Sequence, residues 1–68
     1  MTIRLNGVDH RVEEGTDVRT LVEEVQGDKG TQGVAVAIDH EVIPRSEWEG
    51  RVLTEGTSVE IIKATQGG

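Results

Sequence analysis

The pattern of apolar and polar residues predicts a pair of short strands at the start of the chain. Ile3 and Leu5 alternate with polar residues, which is typical of a strand with one buried face. The dipeptide Asn6-Gly7 follows, and it favours a tight hairpin turn in which φ is positive. A second strand is therefore expected over roughly residues 9–13, with Val12 facing inward.

One apolar stripe at helical spacing predicts a single main helix after this hairpin. Its members recur at i, i+3, i+4 and i+7 and are Val18, Leu21, Val22 and Val25. Thr16 or Asp17 can cap the helix, because either side-chain oxygen can accept from a free amide of the first turn. Gly27 is expected to end it.

The second half of the chain reads as strands again. The run over residues 34–38 consists of small or β-branched apolar residues, which favours a strand buried on both faces. A short strand over residues 41–43 ends at Pro44, where one turn of α- or 3₁₀-helix is expected to begin. The last predicted strand covers residues 58–63.

This order of elements predicts an α+β roll, in which a mixed sheet of four or five strands carries one main helix on one face. The first and last strands can pair in parallel at the centre of the sheet. We expect a domain over residues 1–64, followed by a flexible tail over residues 65–68. Trp48 is placed at the margin of the core. The residues predicted to lie inside are Ile3, Leu5, Val12, Val18, Leu21, Val22, Val25, Val36, Ile38, Leu53, Val59 and Ile61.

The sequence closes with Gly67-Gly68. A terminal Gly-Gly leaves a carboxylate on a backbone without side chains, so it can enter a narrow active site that any Cβ would block. Its carboxyl carbon is open to adenylation and then to attack by a sulfur or nitrogen nucleophile. The alternative is an ordinary frayed terminus, where small residues are common.

Composition removes several classes of function. Thirteen Asp and Glu against seven Lys and Arg argue against nucleic-acid binding, which depends on basic residues. No secretory signal and no membrane-length apolar segment is evident, so a cytoplasmic location without membrane contact is expected. The chain has no Cys, and His10 and His40 lie in separate turns, so no metal site is expected.

Four features together resemble the ThiS family, the ubiquitin-like β-grasp sulfur carriers of thiamine thiazole biosynthesis. They are the opening strand with its Asn6-Gly7 turn, the Val-Leu-Val helix, the block AVAIDHEVIPRSEW, and the ending EGTSVEIIKATQGG. The resemblance covers essentially the whole chain. Asp39 and Thr57 depart from the Asn and Asp that are common in the family, so we expect local hydrogen bonding to differ at these turn positions.

The resemblance implies that Gly68 is the working residue, with Gln66 and Gly67 needed to thread the tail into a partner. An E1-like enzyme of the ThiF type, using ATP and Mg²⁺, would adenylate the Gly68 carboxylate. A persulfide derived from a cysteine desulfurase would then displace AMP and leave a thiocarboxylate, which would deliver its sulfur to a thiazole synthase of the ThiG type. The chain itself would be a co-substrate without a bound cofactor, not an enzyme.

Two other functions remain open from the sequence. The small subunit of molybdopterin synthase is a carrier on the same fold and also ends in Gly-Gly, although it is usually longer and lacks the Pro-Arg…Trp block. A ubiquitin-like protein modifier would form isopeptide bonds through Gly68. Both sulfur carriage and conjugation begin with the same acyl-adenylate, so sequence does not separate them.

Three residues are candidate partner contacts. In the last strand Val59 and Ile61 alternate inward, which leaves Glu60 and Ile62 on the face without the helix, close to the tail. Ile62 is expected to be an exposed apolar anchor, with Glu60 and its acidic neighbours setting orientation. Arg45 is expected to be exposed and available to a partner's carboxylate.

Overall fold

The computed structural model describes residues 1–27 and 33–63. Within them the chain forms five strands, one α-helix and one 3₁₀ helix, in the predicted ββαβββ order. The elements are β1 (Thr2–Leu5), β2 (Val8–Arg11), α1 (Val18–Gln26), β3 (Val34–Ile38), β4 (Glu41–Ile43), the 3₁₀ helix (Arg45–Glu47) and β5 (Ser58–Lys63). The predicted bounds of the second strand were wrong, because β2 starts directly after the Asn6-Gly7 turn and ends before Val12.

The five strands form one mixed sheet in the order β2-β1-β5-β3-β4. β1 and β5 run parallel, as predicted, while β2 pairs antiparallel with β1, and β3 pairs antiparallel with both β4 and β5. β5 is therefore the central strand, held on both sides. The parallel pairing of the two ends of the domain requires the crossover through α1 that separates them.

Two tight turns fix the antiparallel registers at the edges of the sheet. Asn6 and Gly7 have φ of 52° and 83°, and Asp39 and His40 have φ of 49° and 73°. Two consecutive residues with positive φ match the twist of a two-residue hairpin. The prediction of a positive-φ turn at Asn6-Gly7 is thus confirmed, and a second turn of the same kind joins β3 to β4.

α1 begins and ends where the sequence predicted. The Asp17 carboxylate accepts from the backbone N–H of Thr20 at 2.9 Å, and Gly27, with φ of 58°, closes the last turn by donating to the Glu23 carbonyl. The inward placement of Val25 was wrong, since its side chain is 42 % exposed. The helical spacing placed Val25 on the same stripe as the core residues of α1. The core nevertheless contacts the helix through Val18, Leu21 and Val22, and the buried residue of the last turn is Gln26.

The core lies between α1 and one face of the sheet. Its cluster consists of Ile3, Val18, Leu21, Val22, Val36, Ile43, Trp48, Leu53, Val59 and Ile61, with Leu5, Val12 and Ile38 partly buried against it. Trp48 is only 3 % exposed, so its placement at the margin was wrong. The 3₁₀ helix turns its indole inward, where Nε1–H donates to the Ile43 carbonyl at 2.9 Å and leaves no polar group unpaired.

The other face of the sheet carries no helix. Ala35 in β3 is exposed on this face, whereas Ala37 on the same face is buried, so the expectation of a strand buried on both faces holds at Val36 and Ala37 but is wrong at Ala35. Among the described residues no helix is long and apolar enough to span a membrane.

Candidate functional site

Gly68, the predicted site of adenylation, comes shortly after the central strand of the sheet in the sequence. β5 ends at Lys63, and Gly68 stands five residues further along the chain. Gln66, Gly67 and Gly68 lie outside the described residues, so the roles predicted for them stay predictions. The structure describes the strand that precedes them, β5, and the surface of the sheet around its end.

Beside the end of β5 lies a group of apolar side chains on the face of the sheet without the helix. Directly paired residues of neighbouring strands share a face, and here Ile62 pairs with Ala35 while Ala37 pairs with Val42. Ile62 is 57 % and Val42 69 % exposed. We call Ala35, Ala37, Val42 and Ile62 the open-face patch, in which Ala35 is also exposed and Ala37 is buried at 7 % exposure. The predicted exposure of Ile62 is confirmed.

Charged side chains border the open-face patch on the β5 side. Glu60 pairs with Ala37 and is exposed, which places its carboxylate at the edge of the patch. Further across the same face, Arg4 of β1 pairs with Asp9 of β2. The open face is thus divided into an apolar half over β3, β4 and the end of β5, and a charged half over β1 and β2. An apolar centre with a charged border is the usual composition of a protein-binding surface.

The block around Trp48 has a structural role within the chain. The Arg45 guanidinium lies over the Trp48 ring, 5.1 Å from its centroid, in a cation–π arrangement. Arg45 is exposed, as predicted, and its side chain packs on the indole of Trp48. A contact between Arg45 and a partner stays a prediction.

The two histidines of the chain are held apart by the sheet. His10 lies in β2 and His40 in the turn before β4, and these strands are the two opposite edges of the sheet. Within residues 1–27 and 33–63, no three His, Asp or Glu side chains come together in a group that could hold a metal ion.

Three residues of the open-face patch were not identified from the sequence. Their assignment needs the register that pairs Ala35 with Ile62 and Ala37 with Val42, and that register depends on the turn at residues 39–40. A signal was nevertheless present, since the alanines stand at alternate positions of β3 and so occupy one face. Small residues on that face leave the larger Ile62 and Val42 prominent.

Comparison with known proteins agrees with this architecture. A family model described as the ThiS family matches residues 3–68, and the chain belongs to this family. The crystal structure of a thiamine biosynthesis protein (ThiS) from Geobacter metallireducens superimposes with a TM-score of 0.82, at 24 % sequence identity and with each chain covered completely. At this identity the likeness establishes the shared β-grasp fold. No curated protein matches the chain.

Proposed function

We propose that this protein is a sulfur carrier of thiamine biosynthesis, which transports sulfur as a thiocarboxylate on Gly68. The observation that carries the proposal is the match to the ThiS family, because it extends over residues 3–68 and so includes the terminal Gly67-Gly68. The β-grasp fold, with the terminal segment following its central strand, supports the same role.

The proposed chemistry uses the Gly68 carboxylate and no other group of the chain. A carboxylate oxygen attacks the α-phosphorus of ATP on an E1-like enzyme, pyrophosphate leaves, and an acyl-adenylate forms. The terminal sulfur of a persulfide displaces AMP, and a thiol then reduces the resulting acyl disulfide to the thiocarboxylate. Mg²⁺ and ATP belong to the activating partner, and the chain acts as a co-substrate.

The composition of the chain suits an activated carboxyl terminus. The sequence contains no Cys and only two lysines, Lys29 and Lys63, so few of its own groups compete for the acyl-adenylate. A terminus without side chains at its last two positions suits entry into a confined active site. Sulfur would pass from the thiocarboxylate to a thiazole synthase, which regenerates the carboxylate for another cycle.

We further propose that the open-face patch docks on the activating enzyme or on thiazole synthase. Ile62 is the prominent apolar side chain nearest the terminal segment, and the Glu60 carboxylate beside it would orient the partner. The occupant we infer is an apolar surface with a basic rim, since the chain carries a net charge of −6.

Adenylation is tested by ATP–pyrophosphate exchange with the E1-like enzyme of the same host. Full-length chain should support exchange, and a variant lacking Gly68 should not, although its thermal unfolding should be unchanged because no core residue is lost. Normal exchange by the shortened chain would refute the proposed role of Gly68.

Docking is tested by calorimetric titration of Ile62→Ser against each partner. We expect affinity for at least one of them to fall by about 1 kcal/mol or more, because a central apolar anchor is lost. Val25→Ser is the matched control, since Val25 is also an exposed apolar residue but lies on the helix. Equal affinities for both variants and the unsubstituted chain would remove Ile62 from the interface.

A further inference from the structure

Asn6 bonds the backbone of β5 at a point where no strand residue reaches it. The backbone N–H groups of Arg4 and Asn6 donate to the carbonyls of Thr57 and Val59, at 2.8 and 2.9 Å. The next pair of β5 backbone groups facing this side belongs to Ile61, but the chain has already turned away at Asn6-Gly7.

The Asn6 side chain takes the place of the missing strand residue. The Ile61 N–H donates to its Oδ1 at 2.9 Å, and its Nδ2 donates to the Ile61 carbonyl at 3.3 Å. A primary amide presents the same acceptor and donor as a peptide group, so both groups of Ile61 are satisfied as they would be by a neighbouring strand. Asn also tolerates the φ of 52° that the turn requires.

This amide bridge is the last tie between β5 and the β1 side of the sheet in the described part of the chain. Beyond it, Ile62 and Lys63 are paired only with β3, through Ala35 and Val34. The bridge therefore fixes the direction of β5 two residues before the strand ends, and that direction determines where residues 64–68 begin relative to the open-face patch.

We propose that Asn6 is a positioning residue, which holds the end of β5 so that a partner docked on the open-face patch receives the Gly68 carboxylate in its active site. The proposal rests on the function proposed above. Without the bridge the last residues of β5 are held from one side only, and a smaller fraction of docked carriers presents the carboxylate correctly. Docking changes little, because Ile62 keeps its pairing with Ala35 of β3 and the other patch residues lie on β3 and β4.

The chain contains a matched control at the other end of β5. Asp39 is also a turn residue with positive φ, 49°, and its Oδ1 accepts from the backbone N–H of Ser58 at 3.3 Å. Ser58 is the first residue of β5, at the end remote from the terminal segment. Asn6→Gly and Asp39→Gly thus each keep the turn and remove the side-chain hydrogen bonds to β5, two for Asn6 and one for Asp39, but only the first removes them near the end of the strand.

The experiment measures ATP–pyrophosphate exchange by the activating enzyme at varied concentrations of each carrier. For Asn6→Gly we expect kcat to fall about three- to tenfold with KM changed less than about twofold, because the competent fraction of the docked complex is reduced. For Asp39→Gly we expect both constants to stay within about twofold of the unsubstituted values. Amide hydrogen exchange at Ile61, whose N–H donates to Asn6 Oδ1, and at the neighbouring Ile62 should accelerate in Asn6→Gly and not in Asp39→Gly.

A second substitution keeps the proposal falsifiable if Asn6→Gly does not fold. Asn6→Asp retains the turn and the oxygen that accepts from Ile61, but it cannot donate to the Ile61 carbonyl, so its kcat should fall below that of the unsubstituted chain and of Asp39→Gly, with KM little changed. If the unsubstituted carrier is active and the Asn6 and Asp39 variants have equal kcat, the positioning role of Asn6 is refuted while the proposed function stands. An inactive unsubstituted carrier would refute the proposed function, and positioning with it.

Discussion

The Asp17 carboxylate joins the start of α1 to the loop that precedes Leu53. One oxygen accepts from the Thr20 N–H and the other from the Gly50 N–H, each at 2.9 Å. The bond from Gly50, followed by those from Thr20, stabilises the charged form and holds the pKa of the Asp17 carboxyl below its ordinary value of 3.8. Asp17→Asn keeps an oxygen for one of these amides and presents an NH₂ group to the other.

The expected cost of Asp17→Asn is the loss of the Gly50 bond. An intramolecular hydrogen bond contributes about 0.5–1.5 kcal/mol, and the partly exposed position of Asp17 favours the lower half of that range. Asp17→Ala removes the helix cap as well, which typically costs about another 1 kcal/mol. We therefore expect losses in the free energy of unfolding of about 0.5–1 kcal/mol for Asn and about 1.5–2 kcal/mol for Ala.

The pH dependence follows from the direction of the pKa shift. Because the folded-state pKa is lowered, the charge of Asp17 stabilises the fold above 3.8, and this contribution is lost as the pH falls through the folded-state pKa. The difference in stability between the unsubstituted chain and Asp17→Asn should therefore be full near neutral pH and shrink in acid.

Urea denaturation followed by Trp48 fluorescence measures this difference, since Trp48 is the only tryptophan and is buried. Glu24→Gln is the control, because it removes a carboxylate from the solvent-facing side of the same helix. A stability difference for Asp17→Asn that stays constant or grows as the pH is lowered would refute the assignment, and so would a difference equal to that of the control.

Two further predictions concern the core. Leu21→Ala should reduce the free energy of unfolding by about 2–5 kcal/mol, whereas Val25→Ala on the same helix should cost less than about 1 kcal/mol; equal losses in the urea assay would show that the helix is rotated. Trp48→Phe keeps an aromatic ring but removes the donor to the buried Ile43 carbonyl, so we expect a loss of about 1–3 kcal/mol by calorimetric melting, and an unchanged melting temperature would show that this bond contributes nothing.

Local sequence signals predicted the elements of this fold well where short-range physics determines them. The bounds of β5, the cap at Asp17, the end of α1 at Gly27 and the Asn6-Gly7 turn each depend on residues close in sequence. The parallel pairing of β1 with β5 was also predicted, because the order of elements leaves few alternatives for a sheet with one crossover.

The errors concern properties that depend on residues distant in sequence. Val25 has the direction of a core residue, yet its burial depends on what packs against the last turn of α1. Ala35 is in an apolar run, but its exposure depends on the neighbouring strands, since Ala37 on the same face is buried between Val42 of β4 and Glu60 of β5. Trp48 was expected to plug one end of the core, and its full burial depends on distant residues of the same cluster, such as Val18 and Leu21.

The sequence predicted the reactive end of the candidate site and one contact residue, but not how the surrounding surface is assembled. The terminal Gly67-Gly68 and the outward face of Ile62 are visible in the sequence. The rest of the open-face patch requires the strand register, and the Asn6 bridge joins residues that are 55 positions apart. No pattern within either segment indicates that these two meet.

The intact mass of the chain, purified from its own host, tests the central claim most directly. The account predicts a species heavier than the carboxylate form by the difference between one sulfur and one oxygen atom, which is absent when Gly68 is deleted. Only the carboxylate form, or the chain found joined through Gly68 to lysines of other proteins, would contradict sulfur carriage.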